Sequence, residues 1–436
     1  MKMKSKFILF FLLLSFQYDV LYAAPFKIER WKTTKGAQVV FYQAMEVPML
    51  TINIAFAAGS AYDGPHFGLS SLTTDLLDQG AGNYDATQLA EKIADTGAQY
   101  NAEATRDMIV MQLKTLTKEE ALTSATEALA AIINKPLFKQ DAFNREKSRQ
   151  LIAIAQQQES PDEVANIAFF NKLYGNHPYA HPTLGTEQTV KAINLNQVRD
   201  FYRRYFTNQN ATVVLVGAID TEKAHKLAEQ LTSGLPGGAP ALTLPKAPPL
   251  NAQEKVTINY PSSQTIIRLG QIGIDHANPN YFPIMVGNYT LGGGVLVSRL
   301  ANEVREKRGL TYGVVSQFIP MPGLGPFVIN LSTVNDQAST ALKVTEDVLT
   351  DFLKTGPTEE ELAAAKQYMI GSFPLSLASN SNIASMLLRI AFYKLPDDYL
   401  DNYTAHIDAV TTKDIKQAFD DILKPNKMLV VSVGKA

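Results

Sequence analysis

The chain has 436 residues, of which 46% are hydrophobic and 19% charged, and its formal net charge at pH 7 is -2. This balance excludes a disordered chain, and without a basic surplus the composition gives no support for nucleic-acid binding. There is no cysteine, which excludes disulfides and thiolate chemistry. At roughly 100–200 residues per domain, the length predicts two or three domains.

The first 23 residues have the pattern of a secretory signal peptide. Lys2, Lys4 and Lys6 form a basic segment, and the apolar run Phe7–Phe16 is too short to span a bilayer. Small residues then allow cleavage after Ala23. The alternative is a membrane anchor, although no later apolar run has the length of a spanning helix. We therefore expect an exported protein, most simply one of a bacterial periplasm.

Hydrophobic periodicity predicts an α+β domain between residues 24 and 233. Strands are expected at Val39–Tyr42, Thr51–Ala57, Gln99–Ala104, Met108–Leu116 and Ala211–Gly217. Helices are expected at Gly68–Gln79, Thr87–Thr96, Lys118–Asn134, Asp141–Gln158, Pro161–Tyr174 and Asn196–Phe206.

Residues 251–436 repeat this order, so we expect a second domain of the same kind. Strands are expected at Val256–Tyr260, Ile266–Ile274, Tyr312–Pro320, Gly325–Ser332 and Met428–Gly434. Helices are expected at Asn280–Leu291, Val297–Arg308, Asp336–Lys354, Glu359–Phe373 and Ile383–Phe392. Between the domains, residues 234–250 are rich in proline and glycine, which predicts a semi-rigid linker.

Landmarks in the two halves recur at a nearly constant offset. The strand ATVVLVG ends at Gly217 and MLVVSVG ends at Gly434, 217 residues later. Tyr174 corresponds to Tyr393 in the same way. Two tandem copies of one domain explain this better than a solenoid, whose repeats are much shorter.

The helix Gly68–Gln79 carries an unusual polar face. Its leucines share one side, while Ser71, Thr74, Asp75 and Asp78 share the other. On periodicity alone this is an ordinary amphipathic helix with a solvated polar side.

The sequence AAGSAYDGPHFGLSSLTTDLLDQGAG around that helix resembles pitrilysin/insulinase-type zinc peptidases. In that family an inverted motif, H-x-x-E-H, supplies two zinc ligands and a general base. Here Ser71 and Asp75 stand at the histidine positions and Thr74 at the glutamate position. The third ligand, a glutamate in a later helix, corresponds to Ala153. The resemblance therefore implies that this chain binds no catalytic zinc.

The segment Leu291–Phe318 resembles the second half of the same peptidases, where a glycine-rich turn precedes R-E-x-x-G-L-x-Y. The resemblance implies that Arg305 and Tyr312 hold the substrate backbone and help to stabilise the tetrahedral intermediate. It also implies that the turn Gly292–Gly294 flanks a substrate chamber. The alternative is a charged helix end, with Tyr312 packed in the sheet.

The six histidines offer one other candidate metal site, the pair His177 and His181 in HPYAHPTLG. Their spacing suits a helix, but Pro178 and Pro182 make a helix there unfavourable. We interpret the segment as a structural loop and leave a metal site as the alternative.

Taken together, these residues resemble the zinc-less subunit of the two-subunit peptidases in this family. The implied fold is two tandem α+β domains, each a mostly antiparallel sheet with helices packed on one face. We expect zinc on a related partner subunit, peptide substrates that bind as an added strand, and no cofactor on this chain. One alternative is an inactive binding or assembly protein on the same scaffold, and a homodimer stays open. Another is a hydrolase with an unrecognised site.

Overall fold

A computed structural model describes residues 27–435, so the predicted signal peptide lies outside the described residues. Within this range, no helix combines the length and the apolar character needed to cross a membrane. Two β-sheets organise the described chain, one from each half, and they are built on closely related plans.

The first sheet has six strands in the order β1-β2-β6-β3-β5-β4. Neighbouring strands are antiparallel except β2 and β6, which run parallel. The strand β4 lies at one edge of the sheet. The strands are β1 (Ile28–Lys32), β2 (Gln38–Gln43), β3 (Met49–Phe56), β4 (Gln99–Ala104), β5 (Ile109–Leu116) and β6 (Ala211–Gly217).

The second sheet has five strands in the order β7-β11-β8-β10-β9, again with one parallel pair, β7 and β11. Its edge strand β9 corresponds to β4 of the first half. The strands are β7 (Glu254–Asn259), β8 (Gln264–Ile272), β9 (Val314–Phe318), β10 (Pro326–Val334) and β11 (Leu429–Gly434).

Helices surround both sheets. In the first half they are α1 (Leu69–Leu76), α2 (Ala86–Ala94), α3 (Glu119–Asn134), α4 (Gln140–Gln158), α5 (Pro161–Tyr174), α6 (Glu187–Ala192), α7 (Leu195–Tyr205) and α8 (Thr221–Thr232). In the second half they are α9 (Tyr281–Asn288), α10 (Ala338–Thr355), α11 (Glu359–Ser372), α12 (Asn380–Phe392), α13 (Tyr399–Ala409) and α14 (Thr412–Ile422). The expected class, two tandem α+β domains, is confirmed.

Several elements differ from the sequence-based expectation. The strand β1 and the helices α6, α8, α13 and α14 were not predicted. The expected helix Val297–Arg308 is shorter, and its central part is the π-helical segment Ala301–Glu306. The expected strand Tyr312–Pro320 begins only at Val314, so Tyr312 precedes the sheet.

Each half lends one helix to the sheet of the other half. On the first sheet, Val40, Val214 and Val216 face α12 of the second half, while their chain neighbours face the large core of the first half. On the second sheet, Val431 and Val433 face α5 of the first half. Alternating side chains of a strand point to opposite faces, so both faces of each sheet are buried.

We call α5 and α12 the exchanged helices. A tyrosine at the C-terminal end of each exchanged helix forms a hydrogen bond with the other half. The hydroxyl of Tyr174, at the end of α5, donates to the carbonyl oxygen of Leu324 at 2.9 Å. The hydroxyl of Tyr393, just after α12, donates to Asp107 at 3.2 Å. These two tyrosines occupy equivalent places in the repeat, so the exchange of helices follows the internal symmetry.

The segment between α8 and β7 contains neither helix nor strand, yet it is packed against both halves. Leu235 and Ala247 are buried. The backbone N–H of Ala247 donates to the carbonyl oxygen of Gly323 at 2.9 Å, and the carbonyl oxygen of Pro245 lies 2.7 Å from His177 Nε2. This segment therefore joins the halves through specific contacts.

Candidate functional site

The polar helix α1 begins at a tight backbone junction. Asp63 accepts hydrogen bonds from the backbone N–H groups of Gly68 at 2.7 Å and Ser70 at 2.8 Å, which caps the helix. Burial raises the pKa of Asp63 to about 8, while these hydrogen bonds act in the opposite direction. Gly68 has a φ of +93°, and a Cβ there would lie 2.4 Å from the carbonyl oxygen of Leu184. Glycine is therefore required at this position.

The three α1 positions that correspond to the zinc motif carry no histidine, and Thr74 stands at the position of the general base. The Ser71 hydroxyl donates to the carbonyl oxygen of Thr183 at 3.0 Å, and the Thr74 hydroxyl donates to that of Ser70 at 2.8 Å. Both side chains are buried. Their hydroxyls are thus committed to backbone acceptors, which leaves only the carboxylate of Asp75.

Asp75 lies close to other charged side chains. Its accessible surface makes it an exposed residue, although protein atoms crowd it on most sides. This crowding raises the pKa of Asp75 to about 6, with Glu146 and Asp78 adding to the effect and Arg149 opposing it. Because the side chain touches water, screening weakens these interactions, and the carboxylate is mostly ionised at neutral pH.

The fourth position, Ala153, lies on α4, where other residues have structural roles. The buried carboxylate of Glu146 pairs with Arg145 at 3.0 Å and with Arg149 at 3.0 Å. Gln150 donates through Nε2 to the carbonyl oxygens of Gly68 at 3.0 Å and Leu184 at 2.7 Å. Gln150 on α4 thus stabilises the junction at which α1 begins.

This set of side chains does not fit a catalytic zinc ion. Such an ion takes three protein ligands. Here the corresponding side chains are the hydroxyls of Ser71 and Thr74, which are bonded to the backbone, the methyl group of Ala153, and the carboxylate of Asp75. Between residues 27 and 435, no group of three or more histidine, cysteine, aspartate or glutamate side chains is placed to hold a metal ion.

The loop HPYAHPTLG is structural, as interpreted from its prolines. His177 Nδ1 accepts from the backbone N–H of Tyr179 at 3.1 Å, and its Nε2 donates to Pro245. His181 stacks on Phe67 with ring centroids 4.1 Å apart. Each remaining histidine has a neighbour in the fold. His225 stacks on Trp31, His276 on Tyr393 and His406 on Phe282. His66 lies within hydrogen-bond distance of Gln197.

A cleft of about 500 Å³ lies beside the three α1 positions that correspond to the zinc motif. Ser71, Thr74 and Asp75 line one side, and the edge strand β4 with Arg106 lines the other. Sequence reasoning did not single out Arg106, whose guanidinium lies 3.8 Å above the ring of Phe170. The sequence marks this residue only as part of the charged pair Arg106-Asp107, which stands between two segments of alternating polar and apolar residues.

Sequence reasoning also missed a buried cluster where the two halves meet. The hydroxyl of Tyr179 donates to Asp107 at 2.5 Å and accepts from the backbone N–H of Gly323 at 3.2 Å. Tyr393 donates to the second oxygen of the same carboxylate at 3.2 Å. Burial raises the pKa of Asp107, and these two phenol hydrogen bonds partly offset that effect.

The Arg305 and Tyr312 segment lies at the edge of the second sheet. Arg305 is part of the π-helical segment and approaches Glu306 at 3.5 Å. The neighbour of Tyr312 is anchored, because the Thr311 hydroxyl donates to the carbonyl oxygen of Ser332 at 2.7 Å. Tyr312 itself is 89% exposed, so the part of the alternative that packs Tyr312 in the sheet is wrong.

The glycine-rich turn packs on the same edge strand. A Cβ on Gly292 would lie 2.5 Å from the hydroxyl of Ser316 in β9, so the turn approaches β9 very closely. Gly293 ends a second π-helical segment, and Gly294 follows it. The next three residues, Val295 to Val297, are exposed. The edge strand thus brings the turn and the Arg305 segment to one side of the second half, whereas neither contributes to the cleft beside α1.

Comparisons with known proteins agree across most of the chain. The model of the insulinase family (peptidase family M16) matches residues 38–187, and the model of the peptidase M16 inactive domain matches residues 192–369. A crystal structure described as a peptidase M16 inactive domain from Pseudomonas fluorescens is 36% identical, with a TM-score of 0.91, over 94% of this chain and 98% of that chain.

Two curated relatives carry contrasting names. A Bacillus subtilis protein named uncharacterized zinc protease YmxG is 26% identical over 81% of this chain and 86% of that protein. A Helicobacter pylori protein named non-peptidase homolog YmxG is 24% identical over 86% of this chain and 87% of that protein.

Proposed function

The chain belongs to the insulinase family of peptidases (family M16), and on this premise we propose that it is a non-catalytic subunit acting with a zinc-bearing relative. In this arrangement the partner supplies the metal-bound water, and this chain supplies Arg305 and Tyr312 to the peptide. Peptides would be the substrates, bound as an added strand at a sheet edge.

The observation that carries the proposal is the contrast between the two halves. The helix α1 lacks the ligands for zinc, whereas the Arg305 and Tyr312 segment keeps its donors accessible. The exposed phenol of Tyr312 and the partly exposed guanidinium of Arg305 suit a peptide carbonyl or a developing oxyanion, because both are hydrogen-bond donors and the guanidinium stays charged. Tyr312 has anchored neighbours, so its exposure does not result from a loose chain end.

The experiment mixes the purified chain with a relative that carries H-x-x-E-H and follows cleavage of a fluorogenic peptide. The lone chain should contain no stoichiometric zinc and should not cleave the peptide. Activity that depends on this chain should appear only in the mixture. Arg305→Ala and Tyr312→Phe should each lower the activity of the mixture by about 10²-fold, the usual cost of one lost oxyanion donor.

Two control variants distinguish a direct role of Arg305 and Tyr312 in peptide cleavage from an effect of their substitution on folding. Lys307→Ala removes a neighbouring exposed cation, and Tyr368→Phe alters the hydroxyl of another exposed tyrosine, 58% exposed. Both should leave the activity of the mixture unchanged. Because Tyr312 is so exposed, Tyr312→Phe should change the free energy of unfolding by no more than about 0.5 kcal/mol.

Two results would redirect the proposal. If the chain binds the partner but Arg305 and Tyr312 are both replaceable without effect, it is a binding or assembly protein on this scaffold. If the lone chain cleaves peptides without zinc, an unrecognised hydrolytic site exists.

We also propose that the chain acts outside the cytoplasm, in the periplasm of a bacterium. The basic and apolar pattern of residues 2–16 supports this. Cell fractionation with sequencing of the mature N-terminus tests it, and a cytoplasmic chain that keeps its first 23 residues would contradict it.

A further inference from the structure

A second cavity lies inside the second half, away from the cleft beside α1. Its volume is about 350 Å³, and it opens among α9, α11, α12 and α13 next to the glycine-rich turn. Its walls are aromatic rings and methionines with one cation, as in Tyr281, Phe373, Tyr399, Tyr403, Met386 and Arg389. We call this cavity the aromatic pocket. Its apolar walls and single charged group are the usual composition of a small-ligand site.

Arg389 is the one charged side chain among the described residues that line the aromatic pocket. It is largely buried and donates through Nη2 to the hydroxyl of Tyr281. Its Nε has no hydrogen-bond partner among the described residues, and within them no carboxylate forms an ion pair with it. A buried guanidinium without a counter-charge is unfavourable unless another group supplies the negative charge.

A second polar atom in the pocket also lacks a partner. The hydroxyl of Tyr399 is buried and has no hydrogen bond of ordinary geometry within the described part of the chain, although the hydroxyl of Tyr281 lies close enough to affect it. Burial raises the pKa of Tyr399, so the phenol stays protonated and can donate. Native proteins satisfy most buried polar atoms, so two incompletely satisfied donors on residues that line one cavity indicate that a missing acceptor belongs there.

Neighbouring titratable groups do not supply that acceptor. His276 stacks on Tyr393, and burial lowers its pKa to about 4, with the nearby charge of Arg389 acting in the same direction. His276 is therefore neutral at neutral pH. The positive charge of Arg389 remains uncompensated on this side of the cavity.

We propose that the aromatic pocket binds a small amphiphilic carboxylate, with the carboxylate on Arg389 and Tyr399 and the apolar body against the rings and methionines. A guanidinium and a phenol together match the two oxygens of a carboxylate. Aromatic and methionine side chains adapt to an apolar body of variable shape. A free fatty acid and the apolar C-terminal residue of a peptide share this chemistry. The site does not depend on the proposed function, because it needs neither the partner nor Arg305.

Isothermal titration calorimetry on the mature chain tests the proposal with paired probes. Decanoate represents a fatty acid and N-acetyl-phenylalanine a peptide C-terminus, and decanol and N-acetyl-phenylalaninamide are their uncharged counterparts. A carboxylate probe should bind, and its uncharged counterpart should bind at least about tenfold more weakly. The tighter of the two carboxylates identifies the source of the ligand.

Variants locate the binding. Arg389→Gln should weaken carboxylate binding by about tenfold to a hundredfold, and Tyr399→Phe by a few-fold up to about tenfold. Arg308→Gln, which alters an arginine outside the pocket, should bind like the unmodified chain. Should Arg389→Gln fail to fold, Tyr399→Phe still provides the test, since it keeps the ring.

Two outcomes would overturn the proposal. Equal binding of charged and uncharged probes, or unchanged binding in Arg389→Gln, would reduce the cavity to an apolar space without a carboxylate site. If neither carboxylate binds at millimolar concentration, the pocket holds water only.

Discussion

Replacing Gly185 by alanine should destabilise the first half far more than the same change at Gly97. Both glycines have a left-handed backbone, with φ of +76° at Gly185 and +70° at Gly97. An alanine pays about 1–2 kcal/mol for that conformation at either position. The difference lies in the surroundings: a Cβ at Gly97 meets nothing within 4 Å, whereas one at Gly185 would lie 2.1 Å from the carbonyl oxygen of Phe67.

That contact involves backbone on both sides, so no rotamer change relieves it. The loop and the start of α1 would have to separate by roughly 1 Å to reach an ordinary contact distance. Forced overpacking of this kind typically costs about 1–3 kcal/mol. Separation would also strain Gln150, which bridges the carbonyl oxygens of Gly68 and Leu184, at about 1 kcal/mol per hydrogen bond. We expect about 1–2 kcal/mol for Gly97→Ala and about 3–5 kcal/mol for Gly185→Ala.

Urea unfolding followed by tryptophan fluorescence measures both variants. Trp31 is the single tryptophan of the chain and stacks on His225, so its emission reports the first half, which contains both glycines. Equal losses in the two variants would refute the close contact and leave only the shared cost of the backbone conformation. A larger loss for Gly97→Ala would refute the reasoning altogether.

Two further predictions concern buried carboxyl groups. The pKa of Asp63 rises from 3.8 to about 8 on folding, so the stability from this group is present at low pH and falls by at most roughly 5 kcal/mol as pH rises from about 4 to 8. The unfolding free-energy difference between the unmodified chain and Asp63→Asn should therefore shrink over that interval, and a constant difference would contradict this. Tyr179→Phe should cost about 2–4 kcal/mol in urea unfolding, because it leaves both Asp107 Oδ1 and the backbone N–H of Gly323 without a partner, whereas Tyr393→Phe removes one hydrogen bond and should cost less. A larger loss for Tyr393→Phe would exclude this order.

Strong local patterns made much of the fold predictable. The alternation in β4 and β5 and the β-branched runs of β6 and β11 give unambiguous strands, and the near-constant offset between the halves predicts the tandem arrangement. The helices α8 and α14 could have been found as well. Asp220 and Thr411 cap them by accepting hydrogen bonds three residues later, a sequence signal at each helix start.

Other features were beyond the reach of local patterns. The segment around Arg305 has helical periodicity, but the N–H of Lys307 bonds to the carbonyl of Asn302 five residues earlier, which periodicity does not distinguish from an α-helix. Asp107 and Tyr393 are 286 residues apart, so one sequence gives no sign of their contact. The four positions of the lost zinc motif came from family resemblance, since a polar helix face alone is compatible with plain solvation.

The reciprocal placement of α5 and α12 limits how this protein can be divided or recombined. A fragment ending before β7 would keep α5 but lose the cover of its own sheet, and the complementary fragment would have the same defect in reverse. A chimera with half of a distant relative would have to match side-chain shapes at two separate inter-domain seams at once. Substitutions on either exchanged helix are therefore constrained by the sheet that the other half provides.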